Sequence, residues 1–161
     1  MNQTVKKITY TSLMIAIVFL CTVVIPFPSP LGGYINLGDA AIYISSFILG
    51  PVLGFLAGGL GSMLGDFSLG YFIYMIPTFL IKGLMGYISG YLFKKNQMLL
   101  GVLSGLLIMI IGYYGAEILI FNNLLSPLAN IPFNLIQGSI GAIAGYVLIK
   151  VLKNSKIKIH I

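Results

Sequence analysis

Residues 40–65 read AAIYISSFILGPVLGFLAGGLGSMLG, without a charge between Asp39 and Asp66. A helix needs about 20 apolar residues to cross the hydrocarbon core. The stretch is therefore one span, or two short helices broken at Gly50-Pro51. The lysines outside it discriminate, because the lysine clusters that flank membrane helices collect on the cytoplasmic side. Further apolar runs occupy residues 8–25, 71–93, 98–121 and 131–152, with Lys6 and Lys7 before the first, Lys94 and Lys95 after the second, and Lys153, Lys156 and Lys158 after the last. With one span in 40–65, Lys6 and Lys7 fall opposite the other clusters. With a break at Gly50-Pro51, every cluster falls on one side. The break predicts an all-α integral membrane protein, a compact bundle of six transmembrane helices with both termini cytoplasmic. The helices are expected at about 6–25, 38–50, 51–65, 71–93, 98–121 and 131–152, and the outer loops at 26–37, 66–70 and 122–130. Helices 2 and 3 both look short for a full crossing at 1.5 Å per residue, and a re-entrant hairpin has the same parity.

Composition agrees with a membrane reading. Of 161 residues, 58% are hydrophobic and 7% charged, against about 25% charged in a soluble domain. Nine lysines and three acids cannot cover a water-facing surface of this size, which excludes a cytosolic enzyme and a disordered chain. The net charge of +6 comes from lysines at the ends of apolar runs and does not indicate nucleic acid. The length leaves room for one transmembrane domain, residues 1–161, and no soluble one. The first run is longer than the core of a usual signal peptide and lacks an Ala-x-Ala cleavage site. The single cysteine, Cys21, excludes an internal disulfide and reads as a small core residue.

Small residues recur at helical spacing. Gly50, Gly54 and Gly58 are four apart and lead to Gly61 and Gly65, while Gly138, Gly141, Ala142 and Gly145 line the last run. Such residues let backbones approach closely in lipid, so the first expectation is internal packing. Ser12 and Ala16 in helix 1 have the same spacing, and either pack internally or present a smooth face to a partner helix.

Polar groups at membrane depth are costly and generally face a cavity or a partner. Glu117 lies in the outer part of helix 5 near Tyr113 and Tyr114. Asn130, Asn134 and Gln137 open helix 6, the last two on one face, and Tyr71 and Tyr74 open helix 4. One carboxylate, the two amides Asn134 and Gln137, and several phenols at one depth suit a small polar heterocycle. The same groups also suit hydrogen bonding between helices 5 and 6. In the pocket reading, Glu117, Asn134 and Gln137 together hydrogen-bond one planar heterocycle, since an amide both donates and accepts and a carboxylate accepts. Lys82 lies mid-helix with no partner evident in the sequence. It has three possible roles: pairing with an acid, binding an anion, or snorkelling. Asp39 sits where a carboxylate caps a helix N-terminus, and His160 lies in the tail with no role. No Gly-x-Ser-x-Gly, His-Glu-x-x-His or phosphate-binding loop occurs. The chain therefore carries no ATPase, metal or cofactor site of its own.

Gly33-Tyr34-Ile35-Asn36-Leu37-Gly38-Asp39-Ala40, Leu49-Gly50-Pro51 and Ala57-Gly58-Gly59-Leu60-Gly61-Ser62 are followed by Ile81-Lys82-Gly83-Leu84-Met85-Gly86 and Ile131-Pro132-Phe133-Asn134-Leu135-Ile136-Gln137. Over nearly the whole chain this ordered set resembles the substrate-binding S components of energy-coupling factor (ECF) transporters. It is closest to the branch that holds riboflavin-, hydroxymethylpyrimidine- and pyridoxine-type proteins. The resemblance implies six helices and a pocket for a vitamin or precursor, capped by the first outer loop. It also implies partners in the bilayer: a transmembrane coupling subunit and two ATPases. Ligand groups in the family come from the first loop and helices 4 to 6, which places Asn36, Tyr74, Lys82, Glu117, Asn134 and Gln137 as substrate-binding candidates. Ser12 and Ala16 match the small residues of helix 1 that meet the coupling subunit, with Ser in place of the usual first Ala. The competing readings are a small membrane enzyme using Glu117 and Asp66, which lacks a close acid pair in sequence, and a structural membrane subunit that binds no ligand.

Overall fold

The computed structural model describes residues 2–29 and 33–155. His160, Lys156 and Lys158 lie outside the described residues, as do Pro30, Leu31 and Gly32 of the first outer loop. Six α-helices follow one another: α1 (Gln3–Val23), α2 (Gly38–Leu49), α3 (Pro51–Leu69), α4 (Met75–Lys94), α5 (Met98–Phe121) and α6 (Ile131–Asn154). Between α1 and α2 the chain forms a short antiparallel pair, β1 (Phe27–Pro28) with β2 (Tyr34–Ile35). Single 3-10 turns, Phe72–Tyr74 and Ser126–Asn130, lead into α4 and α6. The break at Gly50-Pro51 is present. Gly50 has φ +79, which a side chain would disfavour, and Pro51 opens α3 where its missing N–H costs no hydrogen bond.

The halves of the deciding stretch differ from expectation. Among the described residues, five helical segments are long and apolar enough to cross a membrane, α3 among them. Helix α3 runs past Gly65 to Leu69, so Asp66 is helical and buried, not a loop residue. It stops where Gly70 adopts a left-handed conformation and its N–H, with that of Tyr71, returns to the last turn. Only α2 is short, with 12 residues spanning about 18 Å. It begins inside the bundle. Asp39 in its first turn is fully buried and packs against Gly141, well inside α6. The chain therefore descends through the β1–β2 segment before α2 starts, and α2 runs on to the end where the lysines gather. There Lys7, Gly50, Pro51 and Lys94 line one hollow, and Lys153 Nζ donates to Asn96 Oδ1 at 3.2 Å.

Glycines set the packing of α3, as lipid gives helices no hydrophobic reason to associate. A Cβ on Gly54 would stand 2.9 Å from the Ser46 Cα of α2, and one on Gly58 2.7 Å from the Lys82 carbonyl of α4. On the third side, a Cβ on Gly61 would stand 2.8 Å from the Ile15 carbonyl of α1. Small residues thus let α3 pack closely on α1, α2 and α4. Beside it, Val18, Ile42, Tyr43, Met85 and Ile149 form the buried apolar core, and the Tyr43 hydroxyl donates to the Val102 carbonyl at 2.8 Å.

Candidate functional site

Because α2 starts partway through the bundle, the half away from the lysine end is left to side chains and the β1–β2 segment. A narrow cavity of about 40 Å³ lies there. Asn36, Tyr74, Lys82, Glu117, Asn134 and Gln137 all line it. So do Tyr34, Asp66, Tyr71, Thr78, Tyr113 and Asn130, which are not among the candidates drawn from the sequence.

At its floor Lys82 and Asp39, both buried, form an ion pair. Of the three roles open for Lys82, the structure shows pairing with an acid, 43 residues away in sequence. One expectation is corrected. Asp39 is no terminal cap: Leu37 holds that position, and the Asp39 carboxylate turns inward to the lysine. Gln137 completes the floor, its Nε2 donating to Asp39 Oδ2 at 3.0 Å. Its Oε1 accepts from the Asn36 backbone N–H at 3.1 Å, while Asn36 Oδ1 accepts from the Gly38 N–H at 2.9 Å. Both ends of the Gln137 amide are thus engaged within the protein.

Along the α5–α6 wall, Asn130 Nδ2 donates to Glu117 Oε1 at 2.8 Å. Tyr74 lies in the field of Glu117. Thr78 and Tyr113 share a hydrogen bond of 3.0 Å, and Lys82 Nζ stands 5.5 Å from the Tyr113 ring centroid. On the α3 side, the Tyr34 hydroxyl donates to Asp66 Oδ1 at 2.7 Å, and the Tyr34 and Tyr71 rings lie 4.8 Å apart. Burial first, and then the Asp66 carboxylate, push the Tyr34 hydroxyl well above the usual phenol range, so it stays a donor. Of four buried side-chain oxygens without a hydrogen-bond partner among the described residues, the fourth being Ser126 Oγ, three belong to cavity-lining residues: Asp66 Oδ2, Glu117 Oε2 and Asn130 Oδ1. All three are acceptors.

The helix 1 candidates lie elsewhere. Ser12 and Ala16 are exposed on α1, on a face that also carries Ile8 and Leu20. The buried side of α1, with Val18 and Thr22, meets α3. Of the two readings open for this pair, internal packing is therefore the one the structure does not support.

The missed residues divide by cause. Asn130 and Tyr113 were visible as polar groups in apolar runs but had no pairing to distinguish them. Asp66 was legible only as one of three acids in the chain. Tyr34 gave no signal from spacing, as a loop residue acquires its role from the long-range contact to Asp66.

A model of the family described as "ECF-type riboflavin transporter, S component" matches residues 2–154. A thiamine precursor transporter of Lactococcus lactis subsp. cremoris is 31% identical over 153 residues, covering 94% of this chain and 87% of that protein. An uncharacterised protein of Pyrococcus woesei is 34% identical over 109 residues, covering 65% of this chain and 73% of that one. The solved S component of a bacterial ECF transporter superposes with a TM-score of 0.76 at 22% identity, over 94% of this chain and 98% of that structure. It supports the six-helix fold and nothing finer. The chain is a multi-pass membrane protein of the transport class and not an enzyme, and it belongs to the S-component family of ECF-type transporters.

Proposed function

We propose that this S component captures a small donor-rich heterocycle, hydroxymethylpyrimidine or a pyridoxine-like ring, at the cell membrane. It then passes the ring on with a transmembrane coupling subunit and two ATPases. The carrying observation is the pair of unpartnered acceptors on the α5–α6 wall, Glu117 Oε2 and Asn130 Oδ1. A buried polar atom left without a partner costs about 1–3 kcal/mol, and a ligand with N–H and O–H donors recovers that cost. An aminopyrimidine with a hydroxymethyl arm supplies such donors on a ring small enough to lie between tyrosines. The name of the Lactococcus relative, a thiamine precursor transporter, supports the same choice. In this reading Glu117 and Asn134 contact the ring directly and Tyr74 packs on it. Lys82, Gln137 and Asn36 hold the floor in shape. The exposed Ser12–Ala16 face of α1 meets the coupling subunit.

The test is mass spectrometry of small molecules that co-purify with the detergent-extracted protein, followed by calorimetry with hydroxymethylpyrimidine, pyridoxine and riboflavin. Hydroxymethylpyrimidine or pyridoxine is expected to bind, and riboflavin much more weakly. Preferential binding of riboflavin would overturn the choice of ligand, and binding of none of the three would overturn the pocket reading.

A further inference from the structure

Among the described residues, Asp66 is the acid at the cavity that takes a hydrogen-bond donor from outside the helices, the Tyr34 hydroxyl, in addition to the Thr78 side chain of α4. Asp39 is held by Lys82 and Gln137 and Glu117 by Asn130, all on helices or their lead-in turns. Asp66 also receives the hydroxyl of Tyr34 in β2, 32 residues earlier. A hairpin with two residues per strand cannot hold its own place, so the segment from Tyr34 to Gly38 depends on its ties to the bundle. There are three. The Leu37 N–H donates to the Cys21 carbonyl of α1 at 3.2 Å, the Asn36 N–H donates to Gln137 of α6, and Tyr34 donates to Asp66 of α3. The first two involve backbone near the cavity floor. The third is made by a side chain whose ring lies beside Tyr71, in the connection from α3 to α4 at the end of the bundle. Breaking it frees the aromatic ring that lies above the cavity while leaving the floor in place.

We infer that Asp66 is a positioning residue: through the bond from Tyr34 it seats the Tyr34 ring against Tyr71 across the cavity, and so sets how fast a bound heterocycle leaves. The role rests on the function proposed above but concerns a different quantity, dissociation rate as distinct from ligand identity. Entry does not require this bond to form first, so association is nearly unchanged when it is lost. Dissociation requires the ring to move, so it accelerates. Loss of the bond is expected to speed dissociation about tenfold, which corresponds to about 1.4 kcal/mol.

The experiment is a double-mutant cycle on Tyr34→Phe and Asp66→Asn in the full chain in detergent. Its readout is dissociation of whichever of hydroxymethylpyrimidine, pyridoxine and riboflavin binds the parent. Each single variant is expected to dissociate about tenfold faster with association changed less than twofold, and the double variant no faster than the singles. Unchanged dissociation in Tyr34→Phe overturns the assignment, as does a double variant whose effects multiply, because Asp66 then acts on the ligand without Tyr34. Hydrogen exchange of the amides of residues 33–37, measured without added heterocycle, is the second readout. Faster exchange in both single variants is expected even if none of the three compounds binds, an outcome that would sink the ligand reading alone. Unchanged exchange overturns the seating of Tyr34 by Asp66.

Discussion

Lys82 is the residue whose environment the sequence hides most completely. Its partner Asp39 lies in a different helix, and no spacing rule connects positions 39 and 82. Removing one member of a buried ion pair leaves an uncompensated charge and costs about 3–5 kcal/mol. Lys82→Met is therefore expected to lower the thermal midpoint in detergent sharply, and Lys82→Met with Asp39→Asn to recover most of the loss. A single variant as stable as the parent would mean that the pair contributes nothing to the fold. The wall residues predict a different result. Glu117→Ala removes a buried carboxylate that interacts with Asn130, and Asn134→Ala removes an amide with no hydrogen-bond partner among the described residues. Each is expected to weaken heterocycle binding by about 1–3 kcal/mol, roughly 5- to 150-fold, with Asn134→Ala changing stability least. Two folded variants that bind as tightly as the parent in calorimetry would return these residues to interhelical hydrogen bonding. Tyr74, Glu117, Asn134 and Gln137 were legible as polar side chains at one depth of the apolar runs, because such groups require a reason to be there, whereas Asn36 and the ligand role of Lys82 came only from the family resemblance. The pairings among them were not, because they depend on how far each helix slides past its neighbour.

Helices were more legible than their depths. Proline, glycine and lysine punctuate the ends, and the break at Gly50-Pro51 followed from lysine parity alone. The error lay in Asp66, which reads as a loop residue when a carboxylate is assumed to need water. Inside α3 that carboxylate receives the Tyr34 hydroxyl, and the helix continues past it to Leu69. That extra turn makes α3 a full crossing and leaves α2 as the only short helix. The glycine rows were legible as packing rows, and the structure assigns each its neighbour. Gly61→Leu is expected to force α1 from α3, because its first side-chain atom already falls 2.7 Å from Val18 Cβ. Overpacking of this kind costs about 1–3 kcal/mol, measurable as a lower midpoint in detergent. Ala16→Trp alters the same helix on its exposed side. It is expected to leave stability and heterocycle binding intact while blocking assembly with the coupling subunit and ATP-driven uptake. Normal uptake by Ala16→Trp would remove this face from the docking surface.

At the scale of the whole molecule, charge and cavity lie at opposite ends. Lys7 and Lys94 share the hollow at Gly50-Pro51, and Lys153 reaches Asn96 between α4 and α5. Asp66, Glu117 and the cavity lie in the other half, with the β1–β2 segment across it. A lysine end faces the cytoplasm, so the cavity opens outward, as capture of a scarce solute requires. Both termini belong to the lysine end: Asn2 precedes α1, whose Lys7 lines the hollow, and Asn154 adjoins Lys153. The orientation is tested in a Cys21→Ala background, because Cys21 is the only native cysteine. Single cysteines at Asn2 or Asn154 are expected to resist a membrane-impermeant maleimide in intact cells and to react once the cells are permeabilised. Leu124→Cys, in the exposed connection from α5 to α6 at the cavity end, is expected to react without permeabilisation. Labelling of Asn2→Cys or Asn154→Cys from outside would invert the molecule or change its number of crossings. The cavity would then face the cytoplasm, and the arrangement could not serve uptake.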